Sequence, residues 1–128
     1  MIGYVTLGIA DMGAAQAFYG PLLAALGASP LWADERFTFY GRDIATPMLG
    51  ICTPHDGAAP SVGNGTMVAF GAPDRATVDR IHAEALSLGA TDEGAPGLRE
   101  PEEMQFYGAY FRAPDGHKFC IYRIGADS

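Results

Sequence analysis

GYVTLGIAD at residues 3–11 returns as GTMVAFGAPD at residues 65–74, and this repetition decides how the chain is read. Val5 and Val68, Leu7 and Phe70, and Asp11 and Asp74 each stand 63 positions apart. The segments that follow end in Leu26-Gly27-Ala28 and Leu88-Gly89-Ala90, at an offset of 62. Self-similarity at a fixed spacing marks a duplicated structural unit. Each copy opens as a strand and runs into a helix. Asp11 and Asp74 sit where a side-chain oxygen can cap the first helical turn, and Gly27 and Gly89 sit where a left-handed residue can end the last.

The segments between cap and glycine are amphipathic. In the second, Val78, Ile81, Ala85 and Leu88 recur at helical spacing with Asp79, Arg80 and Glu84 on the other side; in the first, Ala15, Phe18, Leu22 and Leu26 form the stripe. After each helix the pattern changes to short aromatic and β-branched runs. Residues 30–33, 36–40 and 48–52 read as three strands in the first half, and Leu98, residues 105–112 and residues 118–123 as three in the second. Residues 53–64, TPHDGAAPSVGN, are rich in proline, glycine and small side chains and have no apolar period, so they read as a linker. The expected architecture is α+β: one domain over residues 1–128 built from tandem βαβββ modules, with module one at 1–54, the linker at 55–64 and module two at 65–128. Neither module alone can cover its sheet, so two curved mixed sheets are expected to form a half-open cavity with the helices outside.

A chain of 128 residues is long enough for one ordinary core. Its apolar residues are spread without a run long enough to cross a bilayer. Fifteen acidic against eight basic side chains give a formal charge of -7, which repels phosphate backbones and anionic lipid, so neither nucleic acid nor membrane is an expected partner. Lys118 is the only lysine. Cys52 and Cys120 belong to no CxxC pair and read as reduced thiols. The start, Met1-Ile2-Gly3-Tyr4-Val5, has no basic segment followed by an apolar block, and a cytoplasmic location is expected.

Three stretches carry a wider likeness: Tyr4-Val5-Thr6-Leu7 through Asp11 with Phe18-Tyr19 and Leu26-Gly27, then Gly94-Ala95-Pro96-Gly97-Leu98-Arg99, then Pro114-Asp115-Gly116-His117. Through nearly its whole length the chain resembles the vicinal oxygen chelate superfamily of glyoxalases, bleomycin-resistance proteins and extradiol dioxygenases. The resemblance implies the glyoxalase/bleomycin-resistance/dioxygenase fold. Metal enzymes of that superfamily place His, Glu or Gln ligands on the first and last strands of each module. Carried over one at a time, those positions fall on Tyr4, Met67, Cys120 and Gly50. None is an ordinary ligand for a hard divalent ion, and the three histidines lie elsewhere, His55 in the linker, His82 on the second helix and His117 in a turn. The resemblance therefore implies a member without the metal, and no cofactor is expected. The bleomycin-resistance branch commonly pairs two chains, and short curved sheets leave edges that a twofold partner can cover, so a homodimer is expected.

Strand alternation sorts the side chains. Val5, Leu7 and Ile9 are assigned to the helix side and Tyr4 and Thr6 to the cavity; Val68 and Phe70 oppose Met67 and Ala69; Phe119 and Ile121 oppose Cys120 and Tyr122; Leu49 and Ile51 oppose Gly50 and Cys52. Of the aromatics on the intermediate strands, Trp32, Phe37, Phe39, Phe106, Tyr107 and Tyr110, most are expected to be plain packing. Trp32 and Tyr107 are favoured as cavity walls, because a polar tip on an apolar body suits a half-wet pocket. The resemblance places the Gly97-Leu98-Arg99 loop at the cavity mouth and so implies Arg99 as the cation that meets an anionic ligand, the competing reading being a surface ion pair with Glu100, Glu102 or Glu103. The candidate cavity set is thus Tyr4, Thr6, Trp32, Phe39, Gly50, Met67, Arg99, Tyr107, Cys120 and Tyr122. Cys120 reads as a buried thiol, since no adjacent base is evident, and a solvated role is preferred for His55. No catalytic residue is assigned.

The sequence reading is a metal-independent binding protein or cofactorless enzyme for a small, partly apolar molecule. Its rivals are a metal-dependent glyoxalase-type lyase, like lactoylglutathione lyase, and a non-catalytic interaction module.

Overall fold

The computed structural model describes residues 1–127. β1 (Tyr4–Gly8) leads through α1 (Met12–Ala24) to β2 (Ser29–Ala33), β3 (Phe37–Gly41) and β4 (Met48–Cys52). The order then repeats: β5 (Val68–Gly71), α2 (Arg75–Ser87), β6 (Thr91–Leu98), a short 3-10 turn (Glu102–Met104), β7 (Phe106–Arg112) and β8 (Lys118–Ile124). Among the described residues these make two helices and two four-stranded mixed sheets, ordered β1-β4-β3-β2 and β5-β8-β7-β6, neither closed into a barrel. The chain divides into two compact units, residues 1–63 and residues 64 onward. Each is a βαβββ module.

Within each module the first strand pairs in parallel with the last, Tyr4 opposite Met48 through Gly8 opposite Cys52, and Val68 opposite Phe119 through Gly71 opposite Tyr122. Parallel neighbours cannot be joined by a tight hairpin, so the chain between them must leave the sheet and return. The helix makes that excursion, and its two ends are fixed by the residues expected. Asp11 Oδ1 accepts the Ala14 N–H at 3.0 Å, and Asp74 Oδ1 accepts the Thr77 N–H at 2.7 Å. At the other ends Gly27 and Gly89 have φ of 84° and 106°. There Gly27 N–H donates to Ala24 and Ala28 N–H to Leu23, both at 2.9 Å, while Gly89 N–H donates to Leu86 at 3.1 Å and Ala90 N–H to Ala85 at 2.9 Å. This is the paired Schellman stop, and it needs a residue tolerant of positive φ.

α1 buries Ala15, Phe18, Tyr19, Leu22 and Leu23; α2 buries Thr77, Val78, Ile81, His82 and Ala85. Beneath α2 the rings of Phe70, Phe119 and Phe111 run in series, with centroids 5.4 and 5.6 Å apart. Burial of each such side chain contributes about 1.5–3 kcal/mol relative to exposure. Leu26 and Leu88, placed in the stripes by spacing, are only half-buried. Val5 is assigned by alternation to the helix side, yet it remains exposed on an edge strand while its partner Leu49 is buried.

The largest departure from the sequence reading is β6, of which only Leu98 was assigned to a strand. Its sequence, TDEGAPGL, has poor β-propensity, and its register with β7 shifts between Asp92 and Gly94 and again between Gly94 and Gly97. Pairing with β7 makes it a strand, not composition. His82 supplies a second tie to β6: its Nε2 lies 3.0 Å from Asp92 Oδ1, so a buried imidazole has a partner. Asp92 also accepts the Gly94 N–H at 2.9 Å, and that backbone bond, against burial and with help from His82, holds its carboxyl below the usual carboxylate range.

Replacing Gly27 or Gly89 by alanine, Gly27→Ala or Gly89→Ala, forces a Cβ into a left-handed stop and should cost about 1–2 kcal/mol at either site, read as lower urea midpoints with unchanged slopes.

Candidate functional site

Helices cover one face of each sheet, and the candidate residues are distributed over the opposite faces. Directly paired residues share a face. In module one the register pairs Tyr4 with Met48, Thr6 with Gly50, Gly50 with Phe39, and Phe39 with Trp32. Tyr4, Thr6, Trp32, Phe39 and Gly50 thereby share one face; alternation assigns Tyr4, Thr6 and Gly50 to it, and the register adds Trp32 and Phe39.

Gly50 has a definite steric role there. A Cβ at this position would fall 2.6 Å from Phe39 Cε1, so the ring lies flat over bare backbone. From that seat Phe39 meets the Tyr4 ring edge-on at 5.2 Å and stacks on Phe37 at 5.4 Å. The Arg36 guanidinium lies 4.4 Å from the Phe37 centroid. Trp32 is 60% exposed, and its indole N–H donates to Asp34 Oδ2 at 3.1 Å. Asp34 also accepts the backbone N–H groups of Arg36 and Phe37, each at 2.8 Å, and these bonds, with the indole, hold its carboxyl below its ordinary range. A short turn therefore fixes the one tryptophan on this face.

In module two Cys120 pairs with Ala69 and Tyr110, and Tyr122 with Gly71 and Gly108. Phe106 repeats the device seen at Gly50: its ring crowds Gly108, where a Cβ would lie 2.5 Å from Cε1, and stacks on Tyr122 at 5.3 Å. Met67 stands just before β5 and is exposed. Tyr107 does not belong with these residues. It alternates with Phe106 and Gly108 and so points to the α2 side, where its hydroxyl donates to Asp79 at 2.6 Å. That bond, then burial, raises the Tyr107 hydroxyl above its usual pKa. Its polar tip is satisfied by the helix.

Arg99 folds back along β6. Its guanidinium donates to the carbonyls of Gly97 at 2.9 Å and Ala95 at 2.7 Å, and lies 5.4 Å from the centroid of Tyr110. Both carbonyls lie on β6 at or beside the register shift between Gly94 and Gly97, and these two glycines leave room, since a Cβ at either would sit 3.2 Å from a guanidinium nitrogen. No contact with Glu100, Glu102 or Glu103 holds it. The Lys118 ammonium lies 5.6 Å from the same Tyr110 ring. Lys118 and Tyr110 are absent from the candidate set; the spacing of 118, 120 and 122 already places Lys118 beside Cys120, whereas Tyr110 needs the β7–β8 register.

Cys120 is 1% exposed, and burial pushes its thiol up; a hydrogen bond from Tyr110 and the charges of Arg99 and Lys118 oppose this only in part. Burial, then Cys120, raises Tyr110 in turn. The thiol is thus held protonated at neutral pH and is a poor nucleophile. His55 is exposed in the segment after β4, and His117 is buried in the β7–β8 turn.

A divalent metal of the superfamily type fits these residues badly. Phe39 occupies the space over Gly50, Tyr4 is packed against Phe39, and Met67 and Cys120 offer only soft sulfur. Among the described residues no group of three or more His, Cys, Asp or Glu side chains is placed to hold an ion. Among the described residues no helix is long and apolar enough to cross a membrane.

Comparison with known proteins gives a consistent picture. No protein-family model matches the chain, and no curated protein matches it. Among solved structures, a glyoxalase/bleomycin resistance protein from Albidiferax ferrireducens T118 is 34% identical, with a TM-score of 0.85 over 96% of this chain and 98% of that one. A glyoxalase/bleomycin resistance protein/dioxygenase family enzyme from Burkholderia phytofirmans PsJN is 20% identical, with a TM-score of 0.77 over 96% and 98%. Lactoylglutathione lyase from Agrobacterium tumefaciens is 20% identical, with a TM-score of 0.70 over 96% and 92%; at that identity the likeness speaks to fold alone.

Gly50→Ala should displace Phe39 and cost about 1–3 kcal/mol, whereas Gly3→Ala, with nothing within 4 Å, should leave the urea midpoint unchanged. Alkylation of native Cys120 by iodoacetamide, followed by peptide mass spectrometry, should stay slow at neutral pH and accelerate only above the pH at which an ordinary thiol ionises; a rate plateau already reached at pH 7 contradicts the protonated thiol.

Proposed function

The chain belongs to the glyoxalase/bleomycin resistance protein family, and from that premise we propose that it binds, and holds or processes, a small, partly apolar molecule without a divalent metal. The observation that supports this most directly is the ring of Phe39 lying over Gly50, the place where metal-dependent relatives would need a donor side chain. An ion there would have to displace a ring that contacts both Tyr4 and Phe37. What remains for a ligand is aromatic surface: Tyr4, Trp32 and Phe39 on one sheet, Tyr110, Tyr122 and Phe106 on the other. Flat rings bind apolar bodies by area burial and stacking, with little directional demand.

Chemistry at these faces is limited to what the chain's own groups can do. Cys120 in its protonated form can donate a weak hydrogen bond but not attack, Tyr110 can orient it, and Arg99 can stabilise negative charge. We propose a cytoplasmic homodimer as the working form; the pairing of two chains is supported by the edge strands β1, β2, β5 and β6, each of which pairs on one side only within its sheet.

Protein purified without chelator and dialysed should carry well under one nickel, zinc, iron or manganese per chain by elemental analysis. It should also leave the hemithioacetal of methylglyoxal and glutathione unchanged, with or without added metal. Near-stoichiometric metal together with metal-restored turnover would refute the reading and return the chain to the metal-dependent lyases.

A further inference from the structure

Resting on that reading, we infer that the small molecule carries an oxyanionic group, a carboxylate or a phosphate, received between Arg99 and Lys118 beside the ring of Tyr110. The chain carries a formal charge of -7, so an anion is repelled by the protein at large and needs a local reason to bind. Module two supplies one. Its only lysine and Arg99 are both drawn to one ring, at 5.6 and 5.4 Å from the Tyr110 centroid, and both act on the Cys120 sulfur.

Among the described residues neither cation forms an ion pair with a carboxylate. The carboxylate contacts of this kind among those residues are Arg112 with Glu93 and the hydrogen-bonded pair of His82 and Asp92, and neither includes Arg99 or Lys118. Arg112, which stands opposite Lys118, engages the Glu93 carboxylate through its own Nε. Two like charges gathered on one ring without a counterion repel each other, and an incoming anion relieves that repulsion.

Arg99 is also held in advance. Bonds to the Ala95 and Gly97 carbonyls fix the guanidinium, and Gly94 and Gly97 provide the space in which it lies. It keeps further N–H donors for an oxyanion. An arginine already ordered loses less entropy on binding than a mobile surface side chain. Lys118 adds a point charge on a flexible stem that can follow either a planar carboxylate or a tetrahedral phosphate. The stacked rings of Phe106 and Tyr122 continue the same face and would take the apolar body.

Titration of the uniformly 15N-labelled full chain by NMR with phenylacetate, phenyl phosphate and neutral phenylacetamide, each to tens of millimolar, tests the inference. Phenylacetate or phenyl phosphate, or both, should shift the amides of Arg99, Tyr110, Lys118 and Cys120, bind about tenfold or more tightly than phenylacetamide, and weaken as sodium chloride is raised. The stronger of the two names the oxyanion. Lys118→Met keeps the aliphatic stem and leaves no buried group unpaired; it should reduce anion affinity about tenfold and leave phenylacetamide unchanged. Equal affinity for the amide and the anions, or no loss in Lys118→Met, would overturn oxyanion recognition while leaving small-molecule binding intact. No shift on either sheet face with any of the three probes would overturn both.

Discussion

Each module of this protein is governed by one constraint: its first strand must lie parallel to its last. β1 beside β4 and β5 beside β8 cannot be connected by a turn, so the chain between them has to rise off the sheet. The helix is the first part of that excursion, and it can be placed only if both of its ends are decided. Asp11 and Asp74 decide the starts by accepting N–H groups that would otherwise be left bare, and Gly27 and Gly89 decide the stops by adopting positive φ. The strand that follows then pairs antiparallel back towards the middle of the sheet. A consequence is asymmetry. The helix covers one face with Phe18, Tyr19 and Leu22, or with Val78 and Ile81, and no helix of the same module lies on the other among the described residues.

What stands on that second face is decided by backbone approach. Glycine at 50 and at 108 lets Phe39 and Phe106 lie down where any side chain would hold them up. The result is a surface of recumbent rings, joined by the Tyr4–Phe39, Phe37–Phe39 and Phe106–Tyr122 contacts. Such a surface offers dispersion and quadrupole contacts and few donor atoms. It is chemically opposite to a metal centre, which requires several charged or imidazole donors converging on a point.

Electrostatics follows from which groups find partners. His82 and Asp92, and Arg112 and Glu93, are matched within module two. Arg99 is satisfied by carbonyls, so its positive charge is undiminished, and Lys118 joins it on Tyr110. Cys120 sits among them yet stays protonated, because burial outweighs both cations. Module two therefore gathers two cations beside Tyr110 and Cys120 without creating a reactive thiolate.

Composition and spacing alone determined the duplication, both helices with their caps and stops, most strands, and the side of the sheet on which Tyr4, Thr6, Gly50, Cys120 and Tyr122 stand. These depend on neighbours a few residues apart along the chain, where a period of two or of 3.6 is legible. The tertiary structure alone decided β6, Tyr107 and Arg99. TDEGAPGL becomes a strand because β7 pairs with it, Tyr107 is claimed by Asp79 on the helix, and Arg99 reaches Tyr110 because bulged carbonyls draw its guanidinium back. Each of those outcomes turns on a partner distant in sequence or on a local departure from regular pairing, and neither leaves a periodic trace in the order of residues.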